Sequence, residues 1–409
     1  MTPIIQPITP ATVPQYALQS ASWINAVSTV QNLLRDRRTF IGNSGAILQS
    51  SVNVGTATTP TWTNLYTFPG GYAVNGFQEL PNGEALVTTA GPGSVGYVYV
   101  SSGWSVNKAT ATWTRTLDTI GGSIAGSYCV HDSASAADGT VLISESGSQT
   151  AGGSSNVTAD ITKARRVWKS KDFGLTWTLI FDIYAYGQAQ GISYPAGLHV
   201  HGVSYDQDWG RDWICYGDNT GDGRSVAGTG FTQVVFSDDG GSTWQKLPNP
   251  PYYNNGVEPA KTLQMIVAVI FNNAVVFTTD LTDPKAPLVY PKTGYRQLGD
   301  PHCGPMYPSA VTGTVRKVMK DARFPVFFPG VVYATQTGQY TCRIPVTDND
   351  GFTWSCINID IPLQSPALTQ MGFTQVLGPT LDGRVVLTGG MSINNDTTKK
   401  TMVADLVQL

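Results

Sequence analysis

The sequence predicts an all-β ring of four-stranded antiparallel blades, a six- or seven-bladed β-propeller, and three observations predict it. One turn pattern recurs: Ser170-Lys171-Asp172-Phe173-Gly174-Leu175-Thr176-Trp177, Ser237-Asp238-Asp239-Gly240-Gly241-Ser242-Thr243-Trp244, and Thr347-Asp348-Asn349-Asp350-Gly351-Phe352-Thr353-Trp354. Its template, Ser-x-Asp-x-Gly-x-Thr-Trp, is matched fully twice; the third copy has Thr for Ser and Asn for Asp. Second, the tryptophans that close such turns or their remnants (Trp62, Trp113, Trp177, Trp244, Trp354) recur at steps of roughly 50–70 residues, one step being skipped. Third, 44 Gly, 25 Pro and only 13% charged residues suit many short strands joined by tight turns.

Each copy sits between β-rich runs: Arg166 to Lys169 and Thr178 to Phe181, Gln233 to Phe236 and Gln245 to Leu247, Tyr340 to Val346 and Ser355 to Ile359. The chemistry is that of a hairpin turn. Asp accepts hydrogen bonds from nearby backbone N–H groups, Gly supplies positive φ, and Thr-Trp opens the next strand. The Trp ring then has a neighbouring sheet to pack against. Thr61-Trp62-Thr63 and Thr112-Trp113-Thr114 keep the closing Thr-Trp but lose Asp and Gly.

A second marker lies upstream. Asn82-Gly83 before Glu84 to Thr88, Asp138-Gly139 before Thr140 to Ser144, and Asp382-Gly383 before Arg384 to Thr388 read as hairpins between the two inner strands of successive blades. A blade without Trp is expected between Pro259 and Gly299, with strands Gln264 to Ile270 and Ala274 to Thr279 and an outer strand near Leu288 to Tyr290. The count of six or seven depends on whether Arg38 to Phe68 and Gly378 to Leu409 share one blade or form two. Closure by strands from both ends would remove exposed edges.

Residues 1–37 read differently. Thr2 to Pro14 is Pro-rich and extended, and Tyr16, Trp23, Ile24, Val27, Val30, Leu33 and Leu34 approximate a helical stripe ending in Arg35-Asp36-Arg37-Arg38. The expected organisation is an extension over 1–37, either packed on its own ring or serving as an attachment arm, and a propeller over 38–409.

Composition excludes several classes. Net charge is −3 with no long basic run, which argues against nucleic-acid binding. No apolar stretch is long enough to cross a bilayer, so membrane insertion is not expected. The start lacks the pattern of a secretory signal. Four of 28 acids are Glu (Glu79, Glu84, Glu145, Glu258), few for a helical protein. Five cysteines (Cys129, Cys215, Cys303, Cys342, Cys356) at irregular spacing fit reduced thiols, although Cys342 and Cys356 flank one hairpin and could face each other across it.

On its three turns the chain resembles the Asp-box, or bacterial neuraminidase repeat, propellers, over roughly residues 38–409. That family includes sialidases and other glycosidases, sorting-receptor propellers, photosystem assembly factors and phage tail proteins. The turn is structural and says little about function. The resemblance implies structural roles for Ser170, Asp172, Gly174, Thr176, Trp177, Ser237, Asp239, Gly241, Thr243, Trp244, Asn349, Gly351, Thr353 and Trp354. Sialidases add an Arg triad, a Tyr–Glu pair, an Asp acid/base and an early Arg-Ile-Pro. Here Arg343-Ile344-Pro345 comes late and leads straight into the third turn. Glu258, with Tyr252 and Tyr253 nearby, is the one Glu in a loop placed for a propeller mouth. Glu258, Tyr253 and Arg343 are therefore the catalytic candidates, and Arg115, Arg211, Arg224, Arg296 and Arg323 the scattered arginines such a site would need to gather.

Other constellations concern binding. His199-Val200-His201 places two imidazoles on one side of a regular strand, the first of its blade, and His131 occupies a comparable strand; with His302 they are expected to converge near the channel, where carboxylates such as Asp206 or Asp208 would complete a metal site. Asp218-Asn219-Thr220-Gly221-Asp222-Gly223 partly matches a calcium loop, so calcium is the one cofactor considered, with Asp218 and Asp222 as ligands. Trp209, Trp213, Tyr252, Tyr253 and Tyr295 are aromatics expected in long loops and suited to stacking on sugars. The expected function is a non-enzymatic structural or recognition propeller of a phage virion, in the tail or adsorption apparatus. It would bind a host surface glycan or partner virion proteins, the latter through residues 1–37. A sialidase-type exo-glycosidase is the alternative activity and secretion the alternative location.

Overall fold

The computed structural model describes residues 16–24, 29–90, 96–118, 126–147, 166–191, 199–207, 209–217, 233–246, 265–270, 273–278, 288–291, 296–297, 326–327, 339–347, 355–362, 375–388 and 401–408. Among these, 27 strands, one short α-helix and one 3-10 turn (Pro69–Gly71) are assigned. The chain is an all-β propeller of antiparallel blades.

The first strand, β1 (Tyr16–Ile24), belongs to a sheet formed at the other end of the chain. The first blade is β2 (Thr29–Leu33), β3 (Phe40–Ser44), β4 (Ile47–Ser51) and β5 (Thr63–Thr67), ordered from inner to outer strand. The second blade is β6 (Ala73–Glu79), β7 (Ala85–Ala90), β8 (Gly96–Ser102) and β9 (Thr112–Asp118). The third is β10 (Gly126–Ser135), β11 (Val141–Gly147), β12 (Arg166–Ser170) and β13 (Thr178–Asp182), followed by helix α1 (Ile183–Ala189). The fourth is β14 (His199–Asp206), β15 (Arg211–Gly217), β16 (Gln233–Ser237) and β17 (Gln245–Lys246).

Two further sheets are described by their backbone pairing. They are β18 (Met265–Ile270), β19 (Asn273–Thr278), β20 (Leu288–Pro291) and β21 (Arg296–Gln297), and the three-stranded β22 (Val326–Phe327), β23 (Gln339–Thr347) and β24 (Ser355–Pro362). The closing blade orders β25 (Gln375–Leu377), β26 (Arg384–Thr388), β27 (Thr401–Gln408) and then β1 as its outermost strand. Five four-stranded blades thus have described side-chain packing, short of the six or seven expected from the tryptophan spacing. In the two remaining sheets almost no side chains are among the described residues. The sheet β18–β21 occupies the stretch where the blade without Trp was expected.

The N-terminal reading is corrected most. Among the described residues of 16–34 no helix is assigned: β1 pairs with β27 from Tyr16↔Gln408 to Ile24↔Thr401, and β2 opens the first blade. The boundary proposed at residue 37 falls inside the β2–β3 turn, so the described residues of 16–33 are strands of the ring, while 1–15 lie outside the described residues. The helical look of Val30, Leu33 and Leu34 has a simple cause. An innermost strand is covered on both faces by neighbouring blades, so Val30, Asn32 and Leu33 are all buried and the alternation of a half-exposed strand is lost.

Successive inner strands pack on each other and the core runs through the seams between blades. Leu34, Ile41, Leu48, Phe68, Phe77 and Trp104 fill the first seam; Leu86, Val98, Val141 and Trp168 the second; Phe181, Val203, Ile214 and Tyr216 the third. Ile24, Val30, Phe40, Leu377, Val386 and Val403 join the closing blade to the first. Arg37 ties that seam from the turn side: its guanidinium donates to the carbonyls of Pro379 (2.8 Å) and Thr380 (2.9 Å), and its own carbonyl accepts from Leu381 N–H.

Cys342 and Cys356 do not oppose each other. Cys342 pairs with Ile359, and Cys356 with Pro345. Three residues of offset is about 10 Å along a strand, beyond the Cα separation a disulfide spans.

Candidate functional site

The propeller has two unlike edges. On one, the connections between first and second strands and between third and fourth strands are compact turns. Leu80 N–H donates to Glu84 O, Ala136 N–H to Thr140 O and Thr380 N–H to Arg384 O, with Gly83, Gly139 and Gly383 at positive φ in the same place. These are the hairpins read from Asn82-Gly83, Asp138-Gly139 and Asp382-Gly383. In the β2–β3 turn Arg37 takes the positive-φ place, at 56°.

Both described Ser-x-Asp-x-Gly-x-Thr-Trp turns lie on this edge and fold alike. Ser170 Oγ donates to Asp172 Oδ1 (2.7 Å) and accepts from Asp172 N–H (3.2 Å) and Gly174 N–H (2.8 Å). Asp172 accepts from Thr176 N–H (2.8 Å) and from its hydroxyl (2.6 Å). The corresponding distances around Ser237, Asp239, Gly241 and Thr243 are 2.7, 3.3, 2.8, 2.8 and 2.6 Å. Gly241 has φ of 95°, and a Cβ there would lie 2.7 Å from that of Ile180. The turn seats its Trp on the preceding blade's outer strand: Trp177 Nε1 donates to Thr116 Oγ1 and Trp244 Nε1 to Ile180 O, each at 3.2 Å. Full burial of such a ring removes roughly 150–250 Å² from water, a gross gain of about 4–6 kcal/mol.

The weakened copies reach the same end by other means. In the first blade Asn53 stands for Asp, accepting from Ser51 Oγ (2.8 Å) and, across an inserted loop, from Thr61 N–H (3.0 Å). In the second, Glu84 of the neighbouring hairpin supplies the carboxylate, accepting from Ser101 Oγ (2.6 Å), Gly103 N–H (3.0 Å) and Trp104 N–H (3.1 Å).

These turns give the protein an acid-labile edge. The hydroxyl and N–H of Thr243, with Ser237, hold the Asp239 carboxyl down to about 2. At Asp172 burial pushes upward, but the donors from Thr176 and Ser170 outweigh it and the net direction is down. A depressed carboxylate stabilises fully above its unfolded value, near 3.8, and that stability is lost as pH falls through the folded value. The doubly substituted Asp172→Asn, Asp239→Asn protein is therefore expected to lose less of its urea midpoint between pH 4 and about 2 than the parent. Equal slopes would place the acid lability elsewhere.

The densest polar cluster joins the third and fourth blades beneath this edge. Lys169 Nζ lies 2.8 Å from both carboxylate oxygens of Asp212, and the two side chains are 5% and 0% exposed. Burial pushes the Asp212 carboxyl up despite the ammonium beside it. The Tyr205 ring lies 4.9 Å from Lys169 Nζ, and its hydroxyl donates to Asp138 at 3.0 Å; burial first, then the Asp138 charge, push the phenol up to about 12. Arg211 forks onto Asp238 at 2.6 and 2.7 Å and lies over Phe236.

From the other edge depart the long connections 148–165, 183–198, 218–232, 247–264 and 298–325, alongside the short ones 45–46, 68–72 and 91–95 of the first two blades. Glu145, near the end of β11 on that edge, was not singled out by sequence. It is 1% exposed and accepts from Arg166 Nε (2.7 Å) and Trp168 Nε1 (2.9 Å). Burial raises its carboxyl, more than Arg166 lowers it. Its Ser-Glu-Ser-Gly surroundings carry no signal; only the pairing of β11 with β12 brings Arg166 to it.

The sequence candidates fare unequally. Glu258, Tyr252, Tyr253, Asp218, Asp222, His302, Arg224, Arg323, Tyr295, Asn349, Gly351, Thr353 and Trp354 lie outside the described residues. Arg343 is on β23, the strand leading into the third turn as β12 and β16 lead into the first two, not on an innermost strand. Trp209 was expected in a long loop but sits in the short β14–β15 turn, its ring 5.9 Å from the Arg211 guanidinium, while Trp213 is buried core. Arg115 pairs with Asp118 at 2.8 Å on an outer strand, far in topology from Arg211. His199 and His201 are on the innermost strand β14 as expected, but the register shifts between Val200 and Gly202, so the period-two argument placing them on one side fails at His201. Among the described residues, no group of three His, Cys, Asp or Glu is placed to hold a metal.

No protein-family model matches the sequence, and no curated protein matches it. Solved structures do resemble the fold. One of two prolyl endopeptidases studied for inter-domain dynamics aligns at TM-score 0.48 and 10% identity, over 93% of this chain and 50% of its own. This chain therefore spans about half of that protein's length. YCF48 from Cyanidioschyzon merolae aligns at 0.43 and 11%, over 96% and 98%, and an ulvan lyase of polysaccharide lyase family PL25 at 0.47 and 9%, over 93% and 95%.

Proposed function

We propose that this chain is an Asp-box propeller acting as a non-enzymatic recognition or structural module: a phage virion component of the tail or adsorption apparatus that binds a host surface glycan or a partner virion protein. The observation carrying this reading is the contrast between the two edges. On the turn edge the most buried ionisable groups and the turn carboxylates serve architecture, with Lys169 on Asp212, Arg211 on Asp238, Glu84 on the Ser101–Trp104 turn and Asp172 and Asp239 inside their own turns. The long connections leave from the opposite edge, the arrangement in which a rigid scaffold presents variable loops to a ligand. Tyr252, Tyr253 and Glu258 belong to one of these connections and Asp218 and Asp222, the calcium candidates, to another. Residues 1–15 remain as the segment for docking on other virion proteins, in a particle assembled in the host cytoplasm.

A glycan array probed beside a panel of fluorogenic sialosides tests the reading. Saturable binding to defined glycans without turnover is expected. Turnover abolished by Glu258→Gln would replace recognition with sialidase-type hydrolysis, and binding to no glycan would leave only the virion-scaffold half.

A further inference from the structure

The seam that closes the ring differs from the seams inside it. In the third and fourth blades the glycine of the outer turn presses on the preceding blade. A Cβ at Gly174 would lie 3.0 Å from Val100 and 3.1 Å from Leu86, and one at Gly241 would lie 2.7 Å from Ile180. Gly55 holds the same place by spacing in the first blade, after Ser51 and Asn53. A Cβ there would meet Arg384 Cδ of the closing blade at 3.6 Å, an ordinary contact.

Two departures hold these surfaces apart. The turn from Ser51 to Trp62 is four residues longer than the one from Ser170 to Trp177. Opposite it β1 carries a bulge: between Gln19↔Asp405 and Ser22↔Val403, two residues of β1 face Ala404 alone, and Ser20 takes a φ of 51°. That φ strains a serine, and bulges and strained residues are kept where a side chain has to be re-aimed, often at binding sites. Between the long turn and the bulge lies a cavity of about 190 Å³.

Its lining combines three kinds of group. Ile24 and Val403, both buried, give an apolar floor; Ser20, Ser22, Thr56 and Thr58 bring hydroxyls; Arg384 and Asp405 bring one charge of each sign. Arg384 is fixed across the seam: Nη1 donates to Gly55 O, and Nε lies 3.5 Å from both Asp382 Oδ2 and Asp405 Oδ1. Two carboxylates around one guanidinium leave no net positive charge to draw an anion, and the guanidinium repels a metal cation. A neutral molecule dense in hydroxyls fits, because each hydroxyl both accepts from the guanidinium and donates to a carboxylate, while its C–H face lies on Ile24 and Val403. An apolar cavity of about 150 Å³ takes one benzene ring. A slightly larger polar one suits a single six-membered ring with its hydroxyls.

We infer that the closing seam is a binding site for one neutral pyranose unit, clamped by Arg384 and Asp405 with Ser22 and Thr58 at its rim. The site lies on the turn edge, away from the long connections, and does not depend on the recognition role proposed for them.

Methyl NMR of the isoleucine-labelled full chain tests it, with the Ile24 signal identified by Ile24→Val and glucose, galactose, mannose and N-acetylglucosamine as probes. At least one sugar is expected to shift the Ile24 methyl saturably, with a Kd on the order of millimolar for so small a ligand. Equal binding of its methyl glycoside assigns the end of a glycan; binding of the reducing sugar alone assigns a free monosaccharide. The combined Ser22→Ala, Thr58→Ala variant alters two exposed positions. It is expected to weaken binding about tenfold with Tm unchanged, and Ser22→Leu, which fills the cavity, to abolish it. No shift of Ile24 with any of the four sugars at tens of millimolar overturns the site, as does equal affinity in the parent and both variants. Tighter binding of glucuronate or inorganic phosphate than of any neutral sugar overturns the ligand class. The parent titrations decide even if a variant does not fold.

Discussion

Replacing Lys169 by Met is expected to destabilise the protein by about 3–5 kcal/mol, and adding Asp212→Leu to recover most of that loss. The pair lies in the seam between third and fourth blades, with both carboxylate oxygens 2.8 Å from Nζ. Moving the two charges out of water costs several kcal/mol each, and their attraction offsets this only while both are present. Removing the ammonium leaves a carboxylate with no access to solvent, whose pKa burial already pushes upward. Removing both leaves a space beside the Tyr205 ring that two apolar chains can fill. Urea midpoints of the two single variants and the double variant measure the coupling directly. Near-additive single losses would mean that water reaches the pair and that the seam is softer than its geometry indicates.

Deleting residues 1–24 is expected to cost about 5 kcal/mol or more, whereas deleting 1–15 should leave Tm nearly unchanged. The longer deletion removes the outermost strand of the closing blade, from Tyr16↔Gln408 to Ile24↔Thr401. It takes Ile24 out of the cluster with Val30, Phe40 and Val403, worth about 2–5 kcal/mol for a buried aliphatic chain, and strips β27 of a row of hydrogen bonds worth about 1 kcal/mol each. β27 then becomes an exposed edge, so aggregation should accompany the lowered melting temperature. Scanning calorimetry with light scattering separates the two truncated proteins. If both deletions melt alike, β1 contributes nothing to closure and 1–37 would again read as an appended arm.

The turns were readable because their chemistry is local. Ser, Asp, Gly and Thr within seven residues satisfy one another, so Ser170–Trp177 and Ser237–Trp244 announce themselves without knowledge of the rest of the chain. The second blade shows the limit: Glu84 does the work of the missing Asp from a hairpin roughly 20 residues upstream, and sequence records no such delegation. The N-terminal strands were misread for a related reason. Val30, Leu33 and Leu34 imitate a helix because the Gln31 bulge resets the phase of a strand that is buried on both faces. The same resetting spoiled the alternation argument for His199 and His201 while their placement on an innermost strand stood. Glu145 was invisible because its partners, Arg166 and Trp168, reach it across a ladder.

The pairing of β1 with β27 also sets a timetable. On the ribosome β1 emerges long before its partner, and at about 5–20 residues per second the wait is on the order of 20–80 seconds. The first four blades are built from neighbours in sequence and can form in order as they appear. One event cannot: it joins ends nearly 400 residues apart, which would cost roughly 5 kcal/mol in a flexible chain and costs less once the blades between them have packed. A nascent ring therefore carries two open edges for most of its synthesis, and its last step to the native state is a single long-range docking.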